Sequence, residues 1–547
     1  MQPEAHTNPP IAGTKLFQVD REVAALQVSS GRDDTQSPGR AQTLLVVPTD
    51  LTAGLLAFLL FGWLGLNRFI DRDEGFYLLA ASEVISGRTL YHEFFYPQMP
   101  LLPWAYGAFF FVVGEGWFEA RLLTAFLSAM IAGLVFWEVR RKQGLGWAAA
   151  ALLTLCTANF ALPWFVVAKT YALSTLLLLG AVLIIRNSSA GTTRWVYLMA
   201  GVLGALSIQT RLFFLPAAGL ILVPLLFQKK LREAAFVCVG LLLGSLPSLP
   251  YLLLDFDAFL FNNLGYHLSR TAQSLEVKLS QKLFVTKILF GFAPPGRDLG
   301  VHAPMLLYLL IASTVWRAVK GSWPSLPTVM TGVLFLLSLL PSPTYLQYFA
   351  VILPFLLIGL TENLHLITTG LRGLRRWGAI TAGVALSLWY LSIVPSEMRR
   401  FGATGDRMIG VPAGDEAAQW SIESATAVAK RLNQLTTVGE QVMTLWPGYL
   451  VGSHAVPFQR FENHFGFPAA LQVERARQRT LNLPSPWYVK TEIAKRSARI
   501  ALTHPRLGPG YIGDALRTAG YTVQEEVAGV RFWVRGPEPT TVSDATP

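Results

Sequence analysis

The sequence predicts a mainly α-helical polytopic membrane protein. About eleven transmembrane helices are expected, with an interfacial helix in the first external loop and a small C-terminal α/β domain outside the membrane. Three observations carry this. Of 547 residues, 52% are hydrophobic and only 14% charged, whereas a soluble surface needs roughly 25–35% charged residues. The apolar residues gather in long runs, many near the ~20 residues that span a bilayer as a helix. The basic residues cluster between those runs, at Arg140–Lys142, Arg186–Arg194, Lys229–Arg232, Arg317–Lys320 and Arg372–Arg376. That is how a multispanning protein carries its cytoplasmic charge.

The same composition excludes a conventional cytosolic enzyme and a disordered scaffold. Two cysteines, Cys156 and Cys238, are too few for a disulfide framework or a cysteine zinc site. Both lie in apolar runs and read as small buried hydrophobes. A net charge of +11 would suggest nucleic acid in a soluble chain. Here the charge lies between apolar segments, so the expected partners are membrane lipids and not nucleic acid.

Residues 1–43 are polar and mixed in charge, and read as a disordered cytoplasmic tail. The first apolar segment starts only near Gln42, too late for a secretory signal. Segment 44–66 crosses outward. The polar and aromatic stretch Asn67–Met99 follows, then the apolar run Pro100–Gly114, shorter than a span requires. Parity assigns it. The pairs 146–163 with 170–186, 195–210 with 212–228, 234–254 with 300–318, and 326–341 with 345–361 form hairpins between basic clusters, so all the clusters share one face, the cytoplasm. Segment 118–138 leads into the first cluster and must run inward. Residues 100–114 therefore lie at the outer interface, and 67–117 form one external loop. Segment 377–394 crosses outward. The expected domains are the tail 1–43, a membrane domain 44–394, and an extracytoplasmic domain 395–547. In the last, Glu416–Leu435 fits an amphipathic helix. Gln441–Trp446, Arg499–Thr503 and Tyr521–Val534 fit strands, the last a hairpin turning at Gly529.

Chemistry-bearing residues concentrate outside. Asp71-Arg72-Asp73-Glu74 places three carboxylates at the outer surface just past the first span. A carboxylate there can remove a proton from an acceptor while a leaving group departs. The cluster could instead be a solvated loop, or hold a divalent cation, although no His/Cys spacing commits to a metal site. His92 and Gln98, in the aromatic–proline stretch Tyr91–Pro100, could point into a site or belong to an interfacial anchor. Two cations stand on the outer side, against the charge rule. Lys169 lies at one outer turn and Arg211 at another, between two short helices that leave it slightly below the surface. Such a cation either snorkels to headgroups or holds a phosphate in a recessed cavity. In the external loop 255–299, His267 and Arg270 could face that cavity. Tyr345, Gln347 and Tyr348 open a late span at its outer end, as an aromatic belt or as the mouth of a site.

This arrangement resembles the GT-C glycosyltransferases that use polyprenyl-phosphate sugars. The nearest branch includes protein O-mannosyltransferases, lipid A aminoarabinose transferases and bacterial galacturonosyltransferase-like proteins. The resemblance covers about residues 44–394. It rests on Asp73-Glu74-Gly75-Phe76-Tyr77, on Tyr96–Trp104, and on the Tyr345–Pro354 start of a late span. It implies that Asp73 stands at the reacting centre, with Glu74 as second acid and Tyr77 in the substrate cavity. Gln98 falls where the aminoarabinose branch has a phosphate-binding lysine, and Lys169 falls where several relatives carry an acid. Arg211 and Lys169 would then bind the donor phosphate. The implied activity is an inverting hexosyl- or pentosyltransferase of the bacterial inner membrane, moving a sugar from a polyprenyl phosphate to a lipid, glycan or protein acceptor. Two other classes compete with it. A lipid or glycan transporter or flippase would show repeated halves and a midplane site, which this chain lacks. A non-catalytic membrane assembly protein would use the external domain to bind a partner.

Within the acidic segment, a helix starting near Asp73 would put Asp71 and Glu74 on one face. Asp73 would then stand alone, with its pKa raised by partial desolvation.

Overall fold

The structure is a computed structural model that describes residues 40–189, 191–270, 274–292, 300–403, 419–507 and 510–536. The expected tail lies outside these residues, apart from 40–43, which open the first helix. The chain divides into residues 1–51 and 52–547, and the contacts below belong to the second unit.

The chain is mostly helical. Among the described residues, seven stretches are long and apolar enough to cross a membrane: Thr49–Leu66, Trp117–Gln143, Thr170–Asn187, Leu231–Leu254, His302–Val319, Leu346–Gly370 and Gly373–Ser396. The remaining expected spans are shorter or interrupted. Leu145–Thr157 has 13 residues and Leu326–Leu339 has 14. The stretch after Arg211 is broken into short helical pieces, two of which restart at Pro216 and Pro224. Proline supplies no N–H to the preceding turn, so it opens a helix readily and continues one poorly.

Four helices position the site. They are α1 (Arg40–Leu66), α2 (Glu74–Ile85), α3 (Leu101–Val113) and α4 (Trp117–Gln143). Helix α3 has 13 residues, about 20 Å at 1.5 Å per residue. Two more, α5 (Thr170–Asn187) and α6 (Arg194–Thr210), pack side by side. On its far side α6 meets α7 (Leu231–Gly244) at backbone distance. A Cβ on Gly201 would stand 2.1 Å from the Val237 carbonyl oxygen. In lipid, where apolar surface gives no drive to associate, such small residues let helices pack by close contact.

Beyond the last long helix, α8 (Ile422–Leu435) precedes a five-stranded sheet. The expected helix start at Glu416 lies outside the described residues. The strands are β1 (Gln441–Thr444), β2 (Val456–Pro457), β3 (Ile500–Thr503), β4 (Tyr521–Val527) and β5 (Val530–Arg535), in the order β2-β1-β3-β5-β4. Strand β1 is parallel to β2 and β3, while β5 is antiparallel to β3 and β4. Ala528 and Gly529 both have positive φ, 49° and 78°, which suits a tight turn matching the twist of its strands. The two-residue β2 carries too little pattern to be read from the sequence.

One buried apolar cluster runs from the membrane helices into the C-terminal segment, joining Phe76 and Trp117 to Trp446, Tyr449 and Leu450. A second cluster, with Met443, Phe461, Val489, Leu516 and Trp533, belongs to the C-terminal segment alone.

Candidate functional site

The acidic segment is held by its own backbone and by the C-terminal segment. Asp73 caps α2. Its N–H donates to Asp71 Oδ1 at 2.9 Å, and the Asp71 N–H donates to Glu74 Oε2 at 2.7 Å. The Ile70 N–H donates to the Trp420 carbonyl at 2.7 Å, and Trp446 Nε1 donates to the Arg72 carbonyl at 2.8 Å. Gly75 is required by this docking, since a Cβ there would stand 2.7 Å from Gly448 Cα.

The three carboxylates then part company. Glu74 is wholly buried and forms a fork with Arg121 of α4, both contacts at 2.6 Å. It also accepts from the Ala168 N–H at 2.7 Å. All of its acceptor directions point into the fold, so the structure puts Glu74 in an ion pair and not beside an open cavity. That bond to Ala168 fixes the residue before Lys169.

The Lys169 ammonium donates to Asp71 Oδ1 at 2.9 Å, Asp73 Oδ2 at 2.8 Å and Gln347 Oε1 at 3.1 Å. Its three protons are thereby used. Burial opposes its charge, and the two carboxylates more than offset that. Asp71, with no exposed surface, is pushed up to about 6 by burial, which Lys169 only partly opposes. Asp73 moves the other way. Burial would raise its pKa, but Lys169 and further positive charge including Arg270 outweigh it and hold the carboxyl below its usual range. Asp73 is therefore neither isolated nor raised, because Lys169 arrives from a loop 96 positions away. Among the described residues its Oδ1 makes no hydrogen bond, and its side chain is 18% exposed.

Beside this cluster lies a patch of cations and tyrosines. The Arg211 guanidinium sits 4.9 Å from the ring centres of both Tyr171 and Tyr348 and 5.2 Å from that of Phe213. Such rings stabilise a cation while leaving its N–H groups able to meet an anion. Among the described residues, no carboxylate pairs with Arg211. Arg270 donates to the Tyr345 hydroxyl at 3.4 Å and lies 5.6 Å from the rings of Tyr266 and Phe465. Tyr345 and Tyr348 meet edge-on at 5.7 Å, joining the two arginine sites. Tyr77 is buried against Phe76 and Tyr96, and burial pushes its hydroxyl pKa up, with Asp73 adding to the rise.

The structure thus brings together Asp71, Asp73, Lys169, Gln347, Tyr77, Arg211, Arg270, Tyr345 and Tyr348. Three expected residues stand apart from the carboxylates. His92 is exposed and faces Asp255 at 3.6 Å. His267 Nε2 contacts the Pro97 carbonyl at 3.0 Å, and burial lowers its pKa to about 4. Gln98 is fixed through its carbonyl, which accepts from the Tyr91 hydroxyl at 2.7 Å. Three residues escaped the sequence reading: Arg121, Tyr171 and His464. Arg121 is a lone cation near the outer end of an apolar helix, a signal that could have found it. Nothing local marks His464, which arrives from the C-terminal segment with Nε2 3.8 Å from Asp73 Oδ1.

A divalent cation does not fit the acidic loop. Lys169 Nζ already lies between Asp71 and Asp73. Among the described residues, no group of three or more His, Cys, Asp or Glu could hold a metal.

Helix arrangement and C-terminal sheet together give the chain a fold shared with a solved ArnT structure, in a multi-pass membrane protein. ArnT from Cupriavidus metallidurans, a lipid A aminoarabinose transferase, has a similar solved structure. Bound to undecaprenyl phosphate it aligns with a TM-score of 0.59 at 14% identity, over 91% of this chain and 99% of that one. In its apo state the values are 0.57 and 14%, over 92% and 100%. The Archaeoglobus fulgidus oligosaccharyltransferase gives 0.46 at 14% identity, over 90% and 75%. No family model and no curated protein sequence matches the chain.

Proposed function

We propose that this chain is an integral-membrane glycosyltransferase that moves a hexosyl or pentosyl group from a polyprenyl-phosphate donor to an acceptor on a glycolipid, glycan or protein. The observation that carries this reading is the state of Asp73. One of its oxygens is pinned by Lys169 and, among the described residues, the other makes no hydrogen bond, beside two guanidinium groups that meet tyrosines, Arg211 with Tyr171 and Tyr348 and Arg270 with Tyr345. The solved ArnT structure with undecaprenyl phosphate supports a donor of that class.

In this reading Asp73 Oδ1 takes the acceptor hydroxyl proton. The acceptor oxygen attacks the anomeric carbon from the face opposite the phosphate, inverting it, and the carbon–oxygen bond breaks with its electron pair on the lipid phosphate. Arg211 and Arg270 neutralise that phosphate. Lys169 holds Asp73 ionised and in place, with Asp71 and Gln347 fixing the ammonium, so its charge reaches the phosphate only at second hand. Glu74 supports the site through Arg121 and Ala168. The chemistry belongs to the extracytoplasmic face of a bacterial inner membrane, with the N-terminus cytoplasmic, residues 44–394 forming the catalytic membrane domain and 395–547 an external domain.

The experiment is a titration of the purified protein with undecaprenyl phosphate, with wild type compared with Arg211→Ala. Saturable binding weakened by the substitution supports the reading. Absence of binding by the wild type overturns it.

A further inference from the structure

The C-terminal sheet carries a cleft that the chemistry above does not use. Strands β1 and β3 lie side by side and parallel, with Thr444 opposite Leu502. The chain leaving β1 goes on to β2 at one edge of the sheet. The chain leaving β3 goes on through α9 (Tyr511–Thr518) to β4 at the other edge. Neighbouring parallel strands whose connections diverge open a crevice at their carboxyl ends, and open α/β sheets bind ligands there. A cleft of about 160 Å³ lies at that place, lined by Thr444 and Trp446 from the end of β1 and by Thr503 and His504 from the end of β3.

Its walls favour an anion. Gly510 and Gly513, at the start of α9, line the cleft. The cap residue Gly510 offers no side chain to the first N–H groups of the helix, which carry the positive end of its dipole. Arg517 and Arg531 also line the cleft, with exposed guanidinium groups. Arg517 Nη1 donates to Asp514 Oδ1 at 2.8 Å, and Arg531 Nε donates to Glu526 Oε2 at 3.3 Å. A guanidinium has five N–H donors, so one such bond leaves most of it able to meet a phosphate.

A further observation is independent of charge. Tyr449 lines the same cleft and is 4% exposed. Burial pushes its hydroxyl pKa up, with no hydrogen bond among the described residues to oppose the rise. The hydroxyl is unpaired without being sealed from solvent. Buried polar groups are almost always paired, so this one marks a place where a ligand completes the wall. The cleft is smaller than the ~300–1,000 Å³ of sites for drug-sized ligands, so it suits one ring and not an extended molecule. Trp446 and Trp533 give that ring apolar walls. Among the described residues that line the cleft, none belongs to the acidic cluster or to the arginine patch.

We propose that this cleft is a second ligand site and that it binds a phosphomonoester no larger than a sugar ring. The phosphate meets the start of α9 and the two arginines, and the tryptophans cover the rest of the molecule. The inference goes beyond the glycosyltransferase reading and stands without it.

The test titrates the purified full-length protein with glucose 1-phosphate by calorimetry, with glucose as the uncharged comparator. Glucose 1-phosphate should bind about tenfold more tightly than glucose, or better. Gly513→Glu is the decisive variant. A Cβ there meets only Trp533 Cζ2, at an ordinary 3.7 Å, and glutamate in a first helical turn suits the helix better than glycine. The substitution should keep the fold while bringing a negative charge into the cleft, and should weaken the probe about tenfold or more. Arg517→Gln combined with Arg531→Gln should do the same. Tyr449→Phe, which breaks no hydrogen bond among the described residues, should weaken the probe severalfold. Arg211→Ala should leave it unaffected. Binding lost in Arg211→Ala but kept in Gly513→Glu would move the probe to the arginine patch and overturn the assignment, as would a wild type that binds glucose equally well or does not bind the probe. Phosphatidic acid in nanodiscs distinguishes the sources of the phosphate. Displacement of the probe by that lipid assigns the cleft to a lipid headgroup, and no displacement assigns it to a soluble phosphomonoester.

Discussion

Asp73 and Glu74 are neighbours with opposite duties, and Glu74→Gln separates them. Each Glu74 oxygen accepts two donors. Oε1 takes Arg121 Nε and the Ala168 N–H, at 2.6 and 2.7 Å. Oε2 takes Arg121 Nη2 and the Asp71 N–H, again at 2.6 and 2.7 Å. An amide must turn its NH₂ toward one of these pairs, donor against donor, whichever way it flips. Arg121 also loses its counter-charge where neither partner has exposed surface. Breaking a buried pair from one side costs about 3–5 kcal/mol, or roughly 10²–10³·⁵ in the unfolding equilibrium. Asp73→Asn is the control. Its side chain is partly exposed, and Lys169 keeps Asp71 and Gln347 as partners, so the cost should be about 1–3 kcal/mol at most. Thermal unfolding of the two variants in one detergent reads the difference, with transfer measured on whatever remains folded. A Glu74→Gln protein that melts like wild type yet loses turnover as fully as Asp73→Asn would refute this division and return Glu74 to the chemistry.

Four further outcomes are expected. Asp73→Asn should lower turnover about 10²–10⁴-fold with undecaprenyl phosphate affinity retained, so near-normal transfer would remove Asp73 as base. Arg211→Ala should weaken donor binding by about 1.5–3 kcal/mol, and unchanged affinity would leave Arg211 a snorkelling cation. Glu462 lies buried against Arg88 at 2.8 Å, and burial pushes its pKa up to about 7 despite that partner. The folded state therefore holds a proton there that the unfolded chain releases near 4.5, so this contribution to stability is full at low pH and declines as pH rises toward 7. Glu462→Gln should flatten that part of the melting-temperature profile, and an unaltered slope would count against it. Cysteines introduced at Ser86 and Gly116 should label from the same membrane face, whereas opposite faces would mean that α3 crosses.

Much of the fold is written locally. The long spans follow from composition and length, because lipid demands a continuous apolar helix whatever the rest of the chain does. Strands β1, β3 and the β4–β5 hairpin were legible because their alternation and the Ala528-Gly529 turn act over a few residues. The interrupted stretch after Arg211 was harder, since an apolar run looks the same whether its prolines split it or not. The acidic segment was equally visible: three carboxylates just past a span, followed by the one residue, Gly75, that allows Gly448 to approach.

What each carboxylate does was not local. The sequence put Asp73 first, as an isolated carboxylate with Glu74 as second acid, and offered both Arg211 and Lys169 for a phosphate. Tertiary structure drew Arg121 to Glu74, Lys169 to Asp71 and Asp73, and aromatic rings to Arg211, and so divided support from chemistry. It also brought His464 to the open side of Asp73. The physical reason is that a charge's behaviour is set by what lies within a few ångströms. For a buried group those neighbours come from distant parts of the chain, so residue type and spacing fix which charges exist, and only folding decides which of them remain free to act.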